Sequence, residues 1–298
     1  MRVSTRALSV PRHYRMTSWI RAPATPKAAE KGRLLFETTD AGFCSNFNNY
    51  LYAYVYSLAE KKDLYVYDRG NAVSFNYPLI HDTFVDISGI TFTDSMVASA
   101  ASVRRNIGRV ITTVNALPKN ELREAAQKLF AWNPALVQKA AVILKEAKLP
   151  MSFDLGVHIR AGDKITTREM NLISMDVYVK AIKAFQKKSG KDRLDIFVMS
   201  DSANSIAQLQ KAKDASWAIH TVRSTVPAPE GHVQSSFNAS PPRARLAAYT
   251  QFMAELIVIQ SIPDILCTFS SHVGRFLYLT VEHPERVVSV DIPAFVAN

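Results

Sequence analysis

Apolar and polar positions fall in blocks along this chain, and the period changes from block to block. Residues 34–36 form a short apolar run, and a polar loop containing Gly42 follows at 40–45. Phe47, Leu51, Tyr54, Val55 and Leu58 then recur at helical spacing, and a second apolar run occupies 64–67 after a charged turn. Strand, helix and strand in that order predict a βαβ start and a parallel sheet. Residues 70–118 carry only short apolar runs with no clear period. Asn133 before Pro134 predicts a helix start, an N-cap with proline in the first position. Leu136, Ala140, Ile143, Leu144 and Ala147 give that helix one apolar face, and Pro150 ends it.

The second half keeps the rhythm. "DLGVHI", "LDIFVMS", "DILCTFS" and "RVVSVDI" predict strands. Helices are predicted over 174–188, 203–213, 245–262 and 272–282, and residues 220–243, with prolines, Gly231 and several serines, predict a loop. No internal repeat stands out. Strands alternating with helices predict an α/β, doubly wound architecture. The division expected is a basic tail at 1–30, an N-terminal domain at 31–150 and a C-terminal domain at 151–298.

Composition narrows the picture. The chain has 298 residues, 48% of them hydrophobic, enough for a large core. Cys44 and Cys267 are the only cysteines, too few for a disulfide framework, which favours a reducing, cytoplasmic setting. There is no CxxC or HExxH, so no metal site is expected. The first 29 residues carry Arg2, Arg6, Arg12, Arg15, Arg21 and Lys27 and no acid; a loose basic tail is favoured over a transit segment. No run approaches the roughly 18 apolar residues of a membrane span. The net charge of +10 suits an anionic ligand. Nucleic acid is not expected as a partner, because no motif for it is present.

In parallel sheets ligands bind beyond the carboxyl ends of the strands. Polar clusters fall at three such ends, 158–164, 200–202 and 268–272. Arg160 has a fork of donors that fits phosphate oxygens, or it pairs with Asp163 for structure alone. His158 suits a site or a satisfied core position, and Asp201 suits a site or a helix cap. Ser270 and Ser271, at a helix start, suit an anion, plain capping or both. Glu255 lies in the apolar stretch "YTQFMAELIVIQSI", so its carboxylate needs a partner. Two adjacent N–H donors of a guanine ring satisfy it, as does a salt bridge to Arg243 or Arg245. No Asp-x-Asp and no P-loop occurs, so a diphosphate would rely on Arg160 and helix N-termini for its countercharge.

"GVHIRAGDK", "FVMSDS" and "CTFSSHVGR" together resemble the α1,6-fucosyltransferases, the group of the core and nodulation enzymes. "GFCSNFNNYLYAYVYSLAEKKDLYVYD" also resembles that family's Gly-rich loop and helix, which contain Gly42 here. The resemblance runs from about residue 34 to 290 and is dense only in the motifs. It implies a GT-B-like fold, two Rossmann-like domains facing a cleft. It implies metal-independent transfer, with inversion, of fucose from GDP-β-L-fucose to an oligosaccharide or glycoconjugate, with no further cofactor. Carried across, Arg160 and Ser271 would hold the β-phosphate and His158 and Glu255 the guanine. Asp163 and Lys164 would lie near sugar and acceptor. The family's second arginine is Ala161 here. Its catalytic glutamate falls on Arg168 counted from the histidine, or on Glu169 counted back from Tyr178, and one inserted residue favours Glu169. An α1,2 linkage or a non-catalytic sugar-nucleotide-binding protein are the other outcomes.

Overall fold

The computed structural model describes residues 32–67, 79–85, 87, 89–93, 100–163, 173–222 and 228–297. They build two sheets in which every strand pair is parallel. The first sheet takes β1 (Arg33–Glu37), β2 (Asp63–Tyr67), β3 (Ile90–Thr93) and β4 (Ala101–Ser102), in the order β3-β2-β1-β4. Its helices are α1 (Phe43–Ala59), α2 (Leu79–Thr83), α3 (Ile107–Ala116), α4 (Lys119–Leu129) and α5 (Pro134–Glu146). The second sheet takes β5 (Leu155–Ile159), β6 (Leu194–Ser200), β7 (Trp217–His220), β8 (Ile265–Cys267) and β9 (Val287–Ser289), in the order β7-β6-β5-β8-β9. Its helices are α6 (Met175–Ser189), α7 (Ala203–Ala212), α8 (Gln234–Ala239), α9 (Pro242–Gln260) and α10 (His272–Thr280).

Each sheet starts on a central strand, adds two strands on one side and then crosses back. That is the doubly wound order, and it leaves a crevice where the winding reverses, between β1 and β4 and between β5 and β8. The sequence explains the central strands. All five residues of β5 are buried, as a strand covered on both faces requires. Gly156 lets α9 approach: a Cβ there would stand 2.8 Å from Ile259 Cγ1.

The core runs through both halves. Phe47 of α1, Phe84, Phe130 and Phe276 of α10 form one aromatic chain, with ring centroids 4.8 Å (Phe47–Phe84), 4.8 Å (Phe84–Phe130) and 5.1 Å (Phe130–Phe276) apart. Asn48 is buried, and its Nδ2 donates to the carbonyl of His272 at 3.0 Å, tying α1 to the start of α10. Cys44 and Cys267 are buried free thiols. No helix among the described residues is long and apolar enough to cross a membrane.

The predicted start at Asn133 is found, its side chain accepting from the Ala135 N–H at 3.0 Å. Several elements were not expected from the sequence, among them α2, β3, β4 and α3 within 70–118. The stretch predicted as loop at 220–243 begins on the last residue of β7 and contains α8. Neither is visible from periodicity, because β7 has four residues and α8 has six. Helix α4 also lies in a region where no element was expected. Its buried residues are Leu122, Ala126 and Leu129, with Ala125 packed beside them, on an otherwise polar helix.

Helix α10 carries the tightest backbone approach. A Cβ on Gly274 would stand 2.1 Å from the Thr268 carbonyl oxygen. Gly274→Ala is therefore expected to lower stability by roughly 1–3 kcal/mol, as overpacking does. A thermal melt checks it, and an unchanged Tm would mean that α10 shifts freely.

Candidate functional site

A cavity of about 890 Å³ opens at the carboxyl ends of β5, β6 and β8. Its walls come from the loop before α1, from the residues after those three strands, and from one face of α9. Gly42, His158, Arg160, Asp201, Glu255, Ser270 and Ser271, each expected from sequence at the donor site, all line it. Lys164 and Glu169 lie outside the described residues.

Arg160 is held by two carboxylates. Its guanidinium donates to Asp163 at 2.8 Å and pairs with Asp201. Both acids are fixed in turn. Asp201 accepts from the backbone N–H of Ala161 at 2.8 Å and of His232 at 3.0 Å. Asp163 accepts from the Gln234 N–H at 2.8 Å through its other oxygen. Residues 228–234 thus form a strap over the loop that follows β5. Gly162 (φ +72°) and Gly231 (φ +106°) make the crossing possible. A Cβ on the first would meet the His232 carbonyl at 2.3 Å, and one on the second the Gly162 nitrogen at 2.4 Å. Asp201 does not cap α7; Ser202 does, accepting from the Ser205 N–H at 3.1 Å. Arg160 forms the expected pair with Asp163, and it also lines the cavity.

His158 is buried, and its Nδ1 has no hydrogen-bond partner among the described residues. Burial first, and the Arg160 charge second, push its pKa down to about 3, so the ring is neutral. Glu255 is 8% exposed, and its one hydrogen-bond partner among the described residues is Gln251, whose Nε2 lies 3.3 Å from Oε1. Burial raises its pKa to about 8 against the lowering effect of Gln251. No arginine pairs with it among the described residues, so the salt bridge to Arg243 or Arg245 is not formed.

The start of α10 offers the opposite charge. Ser271 caps the helix, accepting from the Val273 N–H at 3.3 Å, and the helix N-terminus faces the cavity. The Ser270 hydroxyl bonds Asp291, which also accepts from the Phe269 N–H at 2.8 Å. Burial works to raise the Asp291 pKa, but the bonds from Ser270, Ser289, Ile292 and Phe269 outweigh it and hold the carboxyl below its ordinary range. An ionised Asp291 therefore locks the 269–270 turn. Beside it, Arg275 is only 4% exposed and lines the cavity. Its Nε donates to the Phe269 carbonyl at 2.7 Å, and no carboxylate lies within ion-pair distance among the described residues. Burial lowers its pKa, partly offset by Tyr52 and Asp291.

Sequence reasoning did not place the strap or Gln251 at the site. The strap sits in a stretch without period. Gln251 lies one helical turn before Glu255, which is the one signal that marks it. Arg275, in the "CTFSSHVGR" segment, was expected from sequence to take the phosphate only if Arg160 does not.

Two doubly wound parallel sheets with a cavity at their switch points define a GT-B-like architecture. Solved structures that share this fold include fucosyltransferases. Fucosyltransferase NodZ from Bradyrhizobium matches 85% of this chain and 94% of its own at 13% identity, with a TM-score of 0.51. NodZ α1,6-fucosyltransferase co-crystallised with GDP covers 85% and 93% at 13% identity, with a TM-score of 0.50. POFUT1 in complex with GDP covers 88% and 98% at 10% identity, with a TM-score of 0.53. No protein-family model matches the chain, and no curated protein matches it in sequence. At these identities the likeness is one of fold.

Proposed function

We propose that this chain is an inverting, metal-independent fucosyltransferase. It transfers L-fucose from GDP-β-L-fucose to a hydroxyl of an oligosaccharide or glycoconjugate, with α1,6 as the linkage. The observation that carries this is a pair of buried ionisable groups of opposite kind, an acid and a base, each without an ion-pair partner among the described residues and both lining one cavity. Glu255 is a buried carboxyl with no cation, and Arg275 is a buried guanidinium with no carboxylate within ion-pair distance, among the described residues. Buried ionisable groups need partners. Guanine supplies two N–H donors for the first, and a diphosphate supplies the anion for the second.

The chemistry follows from that placement. The bond from the anomeric carbon to the β-phosphate oxygen breaks through an oxocarbenium-like state. The leaving GDP takes up negative charge, which Arg160, Arg275 and the N-terminus of α10 stabilise. The acceptor oxygen bonds the anomeric carbon from the opposite face, and its proton passes to Glu169. Asp163, with both oxygens engaged by Arg160 and the strap, positions Arg160 instead of accepting that proton. The sequence resemblance assigns Lys164 to the sugar and acceptor side. Incubation with GDP-fucose, EDTA and glycans bearing a free 6- or 2-hydroxyl tests the proposal. A mass gain of one deoxyhexose in an α linkage supports it; no GDP release with any acceptor counts against it.

Glu255 makes a pH-dependent prediction. The free carboxyl has a pKa of about 8, and guanine N–H donors need it ionised. Below that value binding must expel a proton, so GDP affinity is expected to rise with pH by up to about tenfold per unit and then level off. The same raised pKa makes the empty protein lose stability as pH climbs from the ordinary carboxyl range toward 8. Calorimetry across pH 6–9 checks this, with Glu255→Gln expected to remove the slope. An equal slope in that variant would assign the proton elsewhere.

A further inference from the structure

Gln251 and Glu255 stand one turn apart on α9, both buried and both on the cavity wall. At this separation two helical side chains are neighbours on one face. The amide Nε2 lies 3.3 Å from Glu255 Oε1, so the two side chains present their polar atoms side by side. Taken in sequence, those atoms are a donor (Nε2), an acceptor (Oε1) and an acceptor (Oε2). The base-pairing edge of guanine runs O6, N1–H, N2–H, which is acceptor, donor, donor.

We propose that Gln251 is a second base-reading residue and that the Gln251–Glu255 pair imitates the pairing edge of cytosine. Glu255 accepts from N1–H and N2–H, and Gln251 Nε2–H donates to O6. This rests on the proposed GDP-fucose site and adds to it the residue that reads the far end of the base. An amide nitrogen carries two N–H groups, so one bond to Glu255 and one to O6 are compatible. With nucleotide bound and Glu255 ionised, the bond to Glu255 also fixes the amide orientation, since a carboxylate takes only a donor. The pattern explains selection. Adenine offers donor then acceptor on this edge, opposite to guanine at both places. Uracil offers acceptor, donor, acceptor, and its last oxygen would face Oε2. Mismatches of this kind leave buried polar groups unpaired, which discriminates far more strongly than shape alone.

The test uses the full chain and three purine diphosphates, with UDP as the reference. GDP carries all three groups, inosine diphosphate lacks N2–H, and the diphosphate of 2-aminopurine riboside lacks O6 and with it N1–H, so it keeps only N2–H for Glu255 and should bind more weakly than GDP throughout. Affinities are measured for wild type and Gln251→Leu, with Gln251→Met as a second variant should the first fail to fold. The expected result is a loss of about tenfold for GDP and for inosine diphosphate alike in the variant. The 2-aminopurine diphosphate should bind wild type and variant equally. A variant that weakens all three equally would make Gln251 a shape element, and a variant that weakens none would remove it from the base site. Either result overturns the inference while leaving the GDP site standing. A wild type that does not prefer GDP over UDP would instead remove the proposed function itself.

Discussion

Replacing Glu169 by Gln is expected to lower the single-turnover rate of fucosyl transfer by about 10²–10⁴ while donor affinity stays unchanged. The amide keeps the size and polarity of the side chain and cannot take the acceptor proton. The assignment comes from the resemblance at Tyr178 and from the state of the competing acid. Asp163 accepts from Arg160 through one oxygen and from the Gln234 N–H through the other. Asp163→Asn is therefore expected to disturb Arg160 and weaken donor binding, whereas Glu169→Gln acts on the rate alone. Donor affinity and single-turnover rate measured on both variants separate the roles. Near wild-type turnover in Glu169→Gln would move the base to another residue.

Arg160→Ala is the second large effect. Losing one partner of a hydrogen-bonded charge pair costs about 2–5 kcal/mol, which is roughly 30-fold to several-thousand-fold in GDP affinity. The clamp adds a consequence at the level of stability. Without the guanidinium, Asp163 and Asp201 remain as two partly buried acids under the strap, neither matched by that cation. The variant should melt below wild type, and Arg160→Lys should recover part of the stability and little of the affinity, because lysine keeps the charge and lacks the fork. Arg275→Gln, which leaves that clamp untouched, should lose GDP affinity with a smaller change in Tm. Full GDP affinity in Arg160→Ala would leave Arg275 and α10 as the phosphate site.

Much of this was legible in the chain because the chemistry and the strands coincide. Near-continuous apolar runs such as "LGVHI" and "DIFVMS" announce parallel strands, and polar groups at their carboxyl ends announce the site. His158, Arg160, Asp201, Ser270 and Ser271 were found for that reason. Glu255 was found because a carboxylate inside an apolar helix is conspicuous. What stayed hidden depends on contacts distant in sequence. The strap binds the loop after β5 through backbone groups, and backbone groups have no sequence signature beyond glycines such as Gly162 and Gly231. The shared core is equally invisible: Phe47 and Phe276 meet across more than two hundred residues. The burial of Arg275, and the lack of a carboxylate within ion-pair distance among the described residues, show only in the structure.

The central claim is a cavity built for guanosine diphosphate without metal, and one melting experiment tests it most directly. The protein is heated with GDP, with UDP and with neither, each in the presence and absence of EDTA. At about 100 times its Kd, GDP should add roughly 2.7 kcal/mol of stability, with UDP near the baseline and EDTA without effect. Equal stabilisation by UDP would contradict the guanine site that Glu255 defines, and a GDP shift abolished by EDTA would contradict a diphosphate held by Arg160, Arg275 and α10 alone.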